Sequence, residues 1–269
     1  MGEIAHVNGV DIWWEDFGEK SNPTVLLIMG ANSSSAAWGH EFINELVAND
    51  LHVVIFDNRD VGKSTWINDA TIFAKLAMHL PVSLAQKFVN YIFKAMTDKN
   101  GNLELSEGGN AKYDLKDMAE DAIGLMDHLL IDKAHVVGAS MGGMIAQIIC
   151  LDYPERVLTL TPIMSSPGMG DPELPGMTPE LVGEMKKFFL LNMLGKFEDA
   201  NVILYRALSG SRFPFDEEKF RQEMEGIMTH GHNPYAGHGE ATGATAYRQK
   251  RLPEIKAPTL VIHGTEDPI

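Results

Sequence analysis

The residues that most restrict what this chain can fold into are Ala134-His135-Val136-Val137-Gly138-Ala139-Ser140-Met141-Gly142-Gly143-Met144-Ile145-Ala146. A short apolar run with two valines meets Gly-x-Ser-x-Gly, and helical spacing follows at Met144, Ile145, Ile148 and Ile149. Strand, sharp turn and helix leave Ser140 a strained backbone conformation that pushes its hydroxyl out of the turn. Gly138 and Gly142 lack the Cβ atoms that would hold strand and helix apart. The helix start points unpaired N–H groups and a partial positive charge at any oxyanion formed beside Ser140. The segment is therefore expected to be a nucleophile elbow, against the plainer reading of a Gly-Ser turn.

Upstream, Ile4-Ala5-His6-Val7 and Val10-Asp11-Ile12-Trp13-Trp14 flank Asn8-Gly9, a hairpin signal over residues 3–17. Thr24-Val25-Leu26-Leu27-Ile28-Met29 is continuously apolar, as a parallel strand buried on both faces should be. A helix from about Trp38 to Ala48 and a strand at Val53–Phe56 follow, so strands and helices alternate as in a parallel sheet wound by crossover helices. An amphipathic stretch from Ile72 to Met96 is interrupted by Pro81. Asp98-Lys99-Asn100-Gly101-Asn102 invites a calcium-loop reading that the spacing refuses. Its glycine sits at loop position four instead of six, and Gly109 stands where the bidentate Glu belongs, so a polar turn is expected.

Asp114 with Asp117 resembles a helix N-cap, and Leu115, Met118, Ala122, Leu125, Met126 and Leu129 form one apolar stripe. The elbow helix should end at Tyr153-Pro154, with a strand at Val157–Leu160 after it. Ser165 to Pro172 reads as a linker, and residues 178–248 show only helical patterns rich in methionine and aromatics. These include Met185, Phe188, Phe189, Met193, Phe197, Tyr205, Phe213 and Phe215. They are expected to fold as a cap whose apolar underside lines an acyl pocket. The expected division is 1–165 and 249–269 for the core and 166–248 for the cap.

The formal charge of −15 opposes nucleic acid and anionic membranes as partners. No stretch approaches the ~20 apolar residues of a membrane span, and no signal peptide is visible at the N-terminus, so a cytoplasmic location is expected. The single cysteine, Cys150, reads as a buried packing residue. No metal and no cofactor is expected; a metal site at His230, His232 and His238 has no supporting spacing.

A serine nucleophile needs a base and a cradle for the tetrahedral oxyanion. Ser140 is the nucleophile candidate. The backbone N–H groups of Met141 and Ala31 are the expected oxyanion hole, and Asp267, at the tip of the last strand, is the acid expected to orient a histidine. These residues resemble the α/β-hydrolases with a helical cap. The matching pieces are Leu27-Ile28-Met29-Gly30-Ala31-Asn32, Asp57-x-Arg59-x-x-Gly62-x-Ser64, Gly138-x-Ser140-x-Gly142-Gly143 and His263-Gly264-x-x-Asp267-Pro268. Met-Gly-x-Asn and Asn-Arg-Asp-x-Gly-x-Ser-Thr resemble the branch that includes aclacinomycin methylesterases and many carboxylesterases. Met29 stands where the superfamily more often has histidine, and Asp60 where it often has glycine.

The resemblance implies an α/β-hydrolase core, a mostly parallel sheet with helices on both faces, and cleavage of carboxylic esters through an acyl-enzyme on Ser140; the methionine- and aromatic-rich cap and the negative charge point to small or medium, mainly neutral substrates. A lactonase or perhydrolase would share the site. Dehalogenase and epoxide hydrolase are disfavoured because they use aspartate where Ser140 stands. The resemblance also places the base, a histidine, in a loop after one further strand. None of the ten histidines occupies that position. The expectation is that these residues are part of a longer chain, or that a neighbouring molecule supplies the strand; otherwise the fold is an inactive ligand binder, or the base lies among His40, His230, His232 and His238.

Overall fold

Asn8 and Gly9 both take left-handed backbone, with φ of 46° and 76°. That is what a two-residue hairpin turn requires. They join β1 (Glu3–Val7) to β2 (Val10–Phe17), with Val7 opposite Val10. The computed structural model describes residues 2–95, 111–168, 173, 174 and 176–269. The polar turn expected at 98–102, the calcium-loop reading over it and the last four linker residues, 169–172, lie outside the described residues.

β3 (Thr24–Ile28) is buried along its whole length, as the unbroken apolar run requires. A 3-10 turn at Ser35–Trp38 and Gly39 precede α1 (His40–Ala48), so the α-helix starts two residues later than expected. β4 (His52–Phe56) is again wholly buried. The stretch from Ile72 resolves into α2 (Ile72–Ala77) and α3 (Val82–Ala95), broken where Pro81 lacks an N–H. α4 (Leu115–His128) opens with a complete capping box. Asp114 accepts from the Lys116 and Asp117 N–H groups, and Asp117 accepts from the Asp114 N–H. β5 (Ala134–Ala139) leads through Ser140 into α5 (Met141–Asp152), which stops one residue short of Tyr153-Pro154. β6 (Val157–Ile163) runs three residues past the expected strand, and α6 (Pro179–Met193), α7 (Phe197–Leu208), α8 (Glu217–Gly231) and α9 (His238–Ala244) follow.

The strands lie in the order β1-β2-β4-β3-β5-β6, antiparallel at the β1–β2–β4 side and parallel from β4 to β6. Alternate residues feed two cores. Leu26, Ile28, Val54 and Phe56 pack with α4 and α5 residues such as Met118, Leu125, Ile145 and Ile149. Val25, Leu27, Val53 and Ile55 pack with Ile43 of α1 on the other face. Thr259 to Ile262 runs parallel to β6, the Leu260 N–H donating to the Leu160 carbonyl at 2.9 Å and the Ile262 N–H to the Pro162 carbonyl at 3.1 Å. The side chains of Leu260, Val261 and Ile262 are exposed. Cys150 is buried, and burial pushes its thiol up to about 12.

Two compact units divide the described residues. The first takes those of Met1–Asn68, Glu107–Met169 and Gly226–His263, and it holds the sheet. The second takes those of Asp69–Ser106, Gly170–Glu225 and Gly264–Ile269. Within it α3 packs on α6, the buried Phe93 ring meeting Phe189 edge-on. These bounds differ from the expected 166–248: α2 and α3 join the helices after residue 170, while the residues from 226 group with the sheet.

Candidate active site

Strand order reverses at β3: the chain goes from β3 to β4 on one side and returns to β5 on the other. The carboxyl ends of β3 and β5 flank that reversal, where open α/β sheets form their crevices. Ile28 pairs with Gly138, so the loop after β3 and the turn after β5 leave the sheet side by side.

Ser140 has φ 52° and ψ −120°, a conformation few residues other than glycine adopt. What holds it there is visible on both sides. Its N–H donates to the Ile163 carbonyl at 2.9 Å, and its carbonyl accepts from the Gly143 N–H and the Ser165 hydroxyl at 2.9 and 2.8 Å. A Cβ on Gly138 would fall within 3.0 Å of the Gly142 carbonyl and the Gly143 nitrogen. One on Gly142 would fall within 3.0 Å of the Ile28 and Met29 carbonyls. The two glycines let strand, turn and helix approach, and Ser140 stays half-buried at the start of α5.

The expected oxyanion loop lies against this turn. A Cβ built on Gly30 would sit 3.2 Å from Ser140 Cβ and 3.8 Å from its Oγ. Ala31 follows Gly30, and Met141 follows Ser140 as the first residue of α5, where a helical N–H has no acceptor four residues back. Asp267 belongs to the second unit, half-buried, its Oδ1 accepting the Ile269 N–H at 3.1 Å.

Buried acids that the sequence reading left without a role organise the loop after β4. Asp57, wholly buried, accepts from the Ser35 N–H (2.8 Å), the Ser35 hydroxyl (2.7 Å), the Lys63 N–H (2.8 Å) and His230 Nε2 (2.7 Å). Asp60 accepts from the Ile67, Asn68 and Gly237 N–H groups, the Asn68 amide and the Tyr113 hydroxyl. Burial works to raise the Asp60 pKa, but these donors outweigh it and hold the carboxyl below its ordinary value. Arg59 forms a two-pronged pair with Asp121, both bonds 2.6 Å, and Asn8 donates to the same carboxylate.

The histidines considered as bases are placed as follows. His230 is bound to Asp57 and packs edge-on against Trp13. His238 is fully buried between the Asn32 N–H and the Arg59 carbonyl. His232 is half-buried, and burial lowers its pKa; His40 is exposed at the start of α1. No group of three or more His, Cys, Asp or Glu among the described residues is arranged to hold a metal ion. The only sequence signal for this network was the Asp57-x-Arg59-x-x-Gly62-x-Ser64 pattern, because the partners of Asp57 and Asp60 lie up to 177 positions away in the chain.

A family model described as the alpha/beta hydrolase fold matches residues 23–269. Rhodomycin D methylesterase DnrP of Streptomyces peucetius is 26% identical, the match covering 96% of this chain and 80% of the relative. Among solved structures, the enol-lactonase of Burkholderia xenovorans superposes with a TM-score of 0.61 at 20% identity, covering 98% of this chain and 81% of that one. A thermophilic esterase of Thermogutta terrifontis gives 0.63 at 19% identity, with coverage of 100% and 82%. With a mixed sheet, a serine elbow after β5 and a family match over most of its length, this chain belongs to the alpha/beta hydrolase fold family.

Proposed function

We propose that this protein hydrolyses carboxylic esters through an acyl-enzyme on Ser140, acting on small or medium, mainly neutral substrates. The observation that carries the reading is the backbone of Ser140, held at φ 52° with Gly30 against its side chain. A serine kept in a strained turn needs a reason, and presenting Oγ to an acyl carbon is one that this geometry serves. Ser140 Oγ attacks the carbonyl carbon while a histidine base takes its proton, the π electron pair of the C–O double bond moves onto oxygen, and the Met141 and Ala31 N–H groups receive the oxyanion. As the intermediate collapses the base returns that proton to the leaving oxygen, so the alcohol departs and the acyl group stays on Ser140; water, giving its proton to the same base, then repeats the attack, and Ser140 Oγ takes that proton as the acid leaves. Asp267 is assigned to orient the base, a histidine, which is not assigned among the ten present. The methylesterase relative supports the substrate class, since its name specifies ester cleavage. The formal charge of −15 favours neutral esters over those with a free carboxylate.

The test is ester turnover by the full chain as its gene encodes it. p-Nitrophenyl acetate and butyrate should be hydrolysed, a half-ester of a dicarboxylic acid more slowly, and Ser140→Ala should remove nearly all of the rate with the fold intact. Full activity in Ser140→Ala would end the proposal.

A further inference from the structure

Asn32, two residues past Gly30, takes left-handed backbone with φ 58°. The loop that carries the proposed Ala31 donor is therefore strained, and something must hold it. The contact that does so comes from far along the chain. The Asn32 N–H donates to His238 Nδ1 at 2.8 Å, and His238 Nε2 lies 2.8 Å from the Arg59 carbonyl oxygen. Both partners are backbone groups of fixed polarity, so the protonation of the ring follows from them. Nε2 faces an acceptor and must carry the proton; Nδ1 faces a donor and must lack it.

Everything around this ring is fixed as well. His238 is fully buried, and burial lowers its pKa, which agrees with a neutral ring. The Gly237 N–H just before it binds Asp60, and Tyr113 meets the imidazole edge-on at 6.4 Å between centroids. Arg59, whose carbonyl takes the Nε2 proton, is itself locked by Asp121. The charged groups facing the ring are thus Asp60 and Arg59, each already satisfied by its own partners.

We propose that His238 is a positioning residue for the oxyanion hole: a neutral imidazole clamped between the Asn32 N–H and the Arg59 carbonyl sets the peptide plane after Ala31. The clamp also takes the Asn32 N–H out of the set of donors open to substrate. The inference rests on the proposed ester hydrolysis, because a donor needs positioning only if an oxyanion forms.

Two substitutions separate the halves of the clamp. His238→Asn puts an acceptor near the place of Nδ1 and loses the bond to Arg59; His238→Gln reaches the Arg59 carbonyl and loses the acceptor for Asn32. In the full chain, His238→Gln should lower kcat for p-nitrophenyl acetate about 10- to 100-fold with little change in KM, because a donor is displaced from the transition-state charge. His238→Asn should stay within about threefold of the parent kcat, even where its melting temperature is the lower of the two. Equal losses in both variants, or losses that follow melting temperature, would overturn the inference. Ser140→Ala in the same assay separates the two claims: retained activity there sinks the ester-hydrolase reading, whereas an inactive Ser140→Ala beside a fully active His238→Gln sinks only this one. Should neither His238 variant fold, ¹⁵N spectra of the parent decide. His238 should show one protonated and one bare ring nitrogen throughout the pH range of the folded state, and a doubly protonated ring in folded protein would refute the clamp.

Discussion

Ser140, the proposed nucleophile, holds a strained backbone, and the strain is measurable as stability. At φ 52° and ψ −120° a residue with a Cβ costs about 1–3 kcal/mol relative to a relaxed conformation. Glycine adopts this backbone freely but loses about 0.5–1 kcal/mol more than alanine to chain entropy on folding. Ser140→Gly should therefore stabilise the protein by roughly 1 kcal/mol, the difference spanning about 0–2.5, or a few degrees in melting temperature for a chain of this size. Ser140→Ala keeps the Cβ and hence the strain, so it is the control that removes the hydroxyl alone. All four tryptophans, Trp13, Trp14, Trp38 and Trp66, lie in the unit that holds the elbow, so intrinsic fluorescence in urea reports on that unit. The expected order of midpoints is Ser140→Gly above Ser140→Ala, with both variants inactive. A midpoint for Ser140→Gly equal to or below that of Ser140→Ala would refute the reasoning, because the strain would then not be stored at residue 140.

Gly142→Ala should destabilise by at least about 2 kcal/mol, since the new methyl meets the rigid Ile28 and Met29 carbonyls and not a side chain that can move; urea midpoints check it. Asp60 has a folded pKa below the ordinary carboxylate value, so its stabilising share is complete at neutral pH and is lost as pH falls through the folded value. Asp60→Asn should lower stability at pH 7 and flatten its decline in acid, below the ordinary carboxylate range; an unchanged acid limb would contradict this. Arg248 is buried, its Nε and Nη2 find no hydrogen-bond partner among the described residues, and burial lowers its pKa to about 10. Arg248→Met should raise the melting temperature, corresponding to about 1–3 kcal/mol, and a fall would show that the Nη1 bond to the Ala246 carbonyl and the packing of the side chain outweigh the two unpaired nitrogens.

Elements whose causes are local were readable from the residues. The Asn8-Gly9 turn, the capping box of Asp114 and Asp117, the buried run of β3 and the break at Pro81 each depend on neighbours within a few positions. The elbow belongs with them only in part: Gly138 meets Gly142 and Gly143 locally, whereas the Ile28 and Ile163 carbonyls and the Ser165 hydroxyl that brace the turn come from distant positions. Unit boundaries were less legible. Helical periodicity marks a helix but carries no record of its packing partner, so the amphipathic stretch from Ile72 held no sign that α3 packs on α6.

By itself the sequence determined where the strands run, where the serine turn lies and that strands and helices alternate, since those follow from periodicity and steric rules along the chain. Only the tertiary structure decided what braces the site. His230 meets Asp57 across 173 positions and His238 meets Asn32 across 206. Such pairs leave no period in the sequence, because they form only when the fold brings the ends of β3 and β4 to the last turn of α8 and the start of α9. A buried carboxylate or imidazole then takes whatever backbone donors and acceptors the fold delivers to it, and desolvation makes those bonds obligatory.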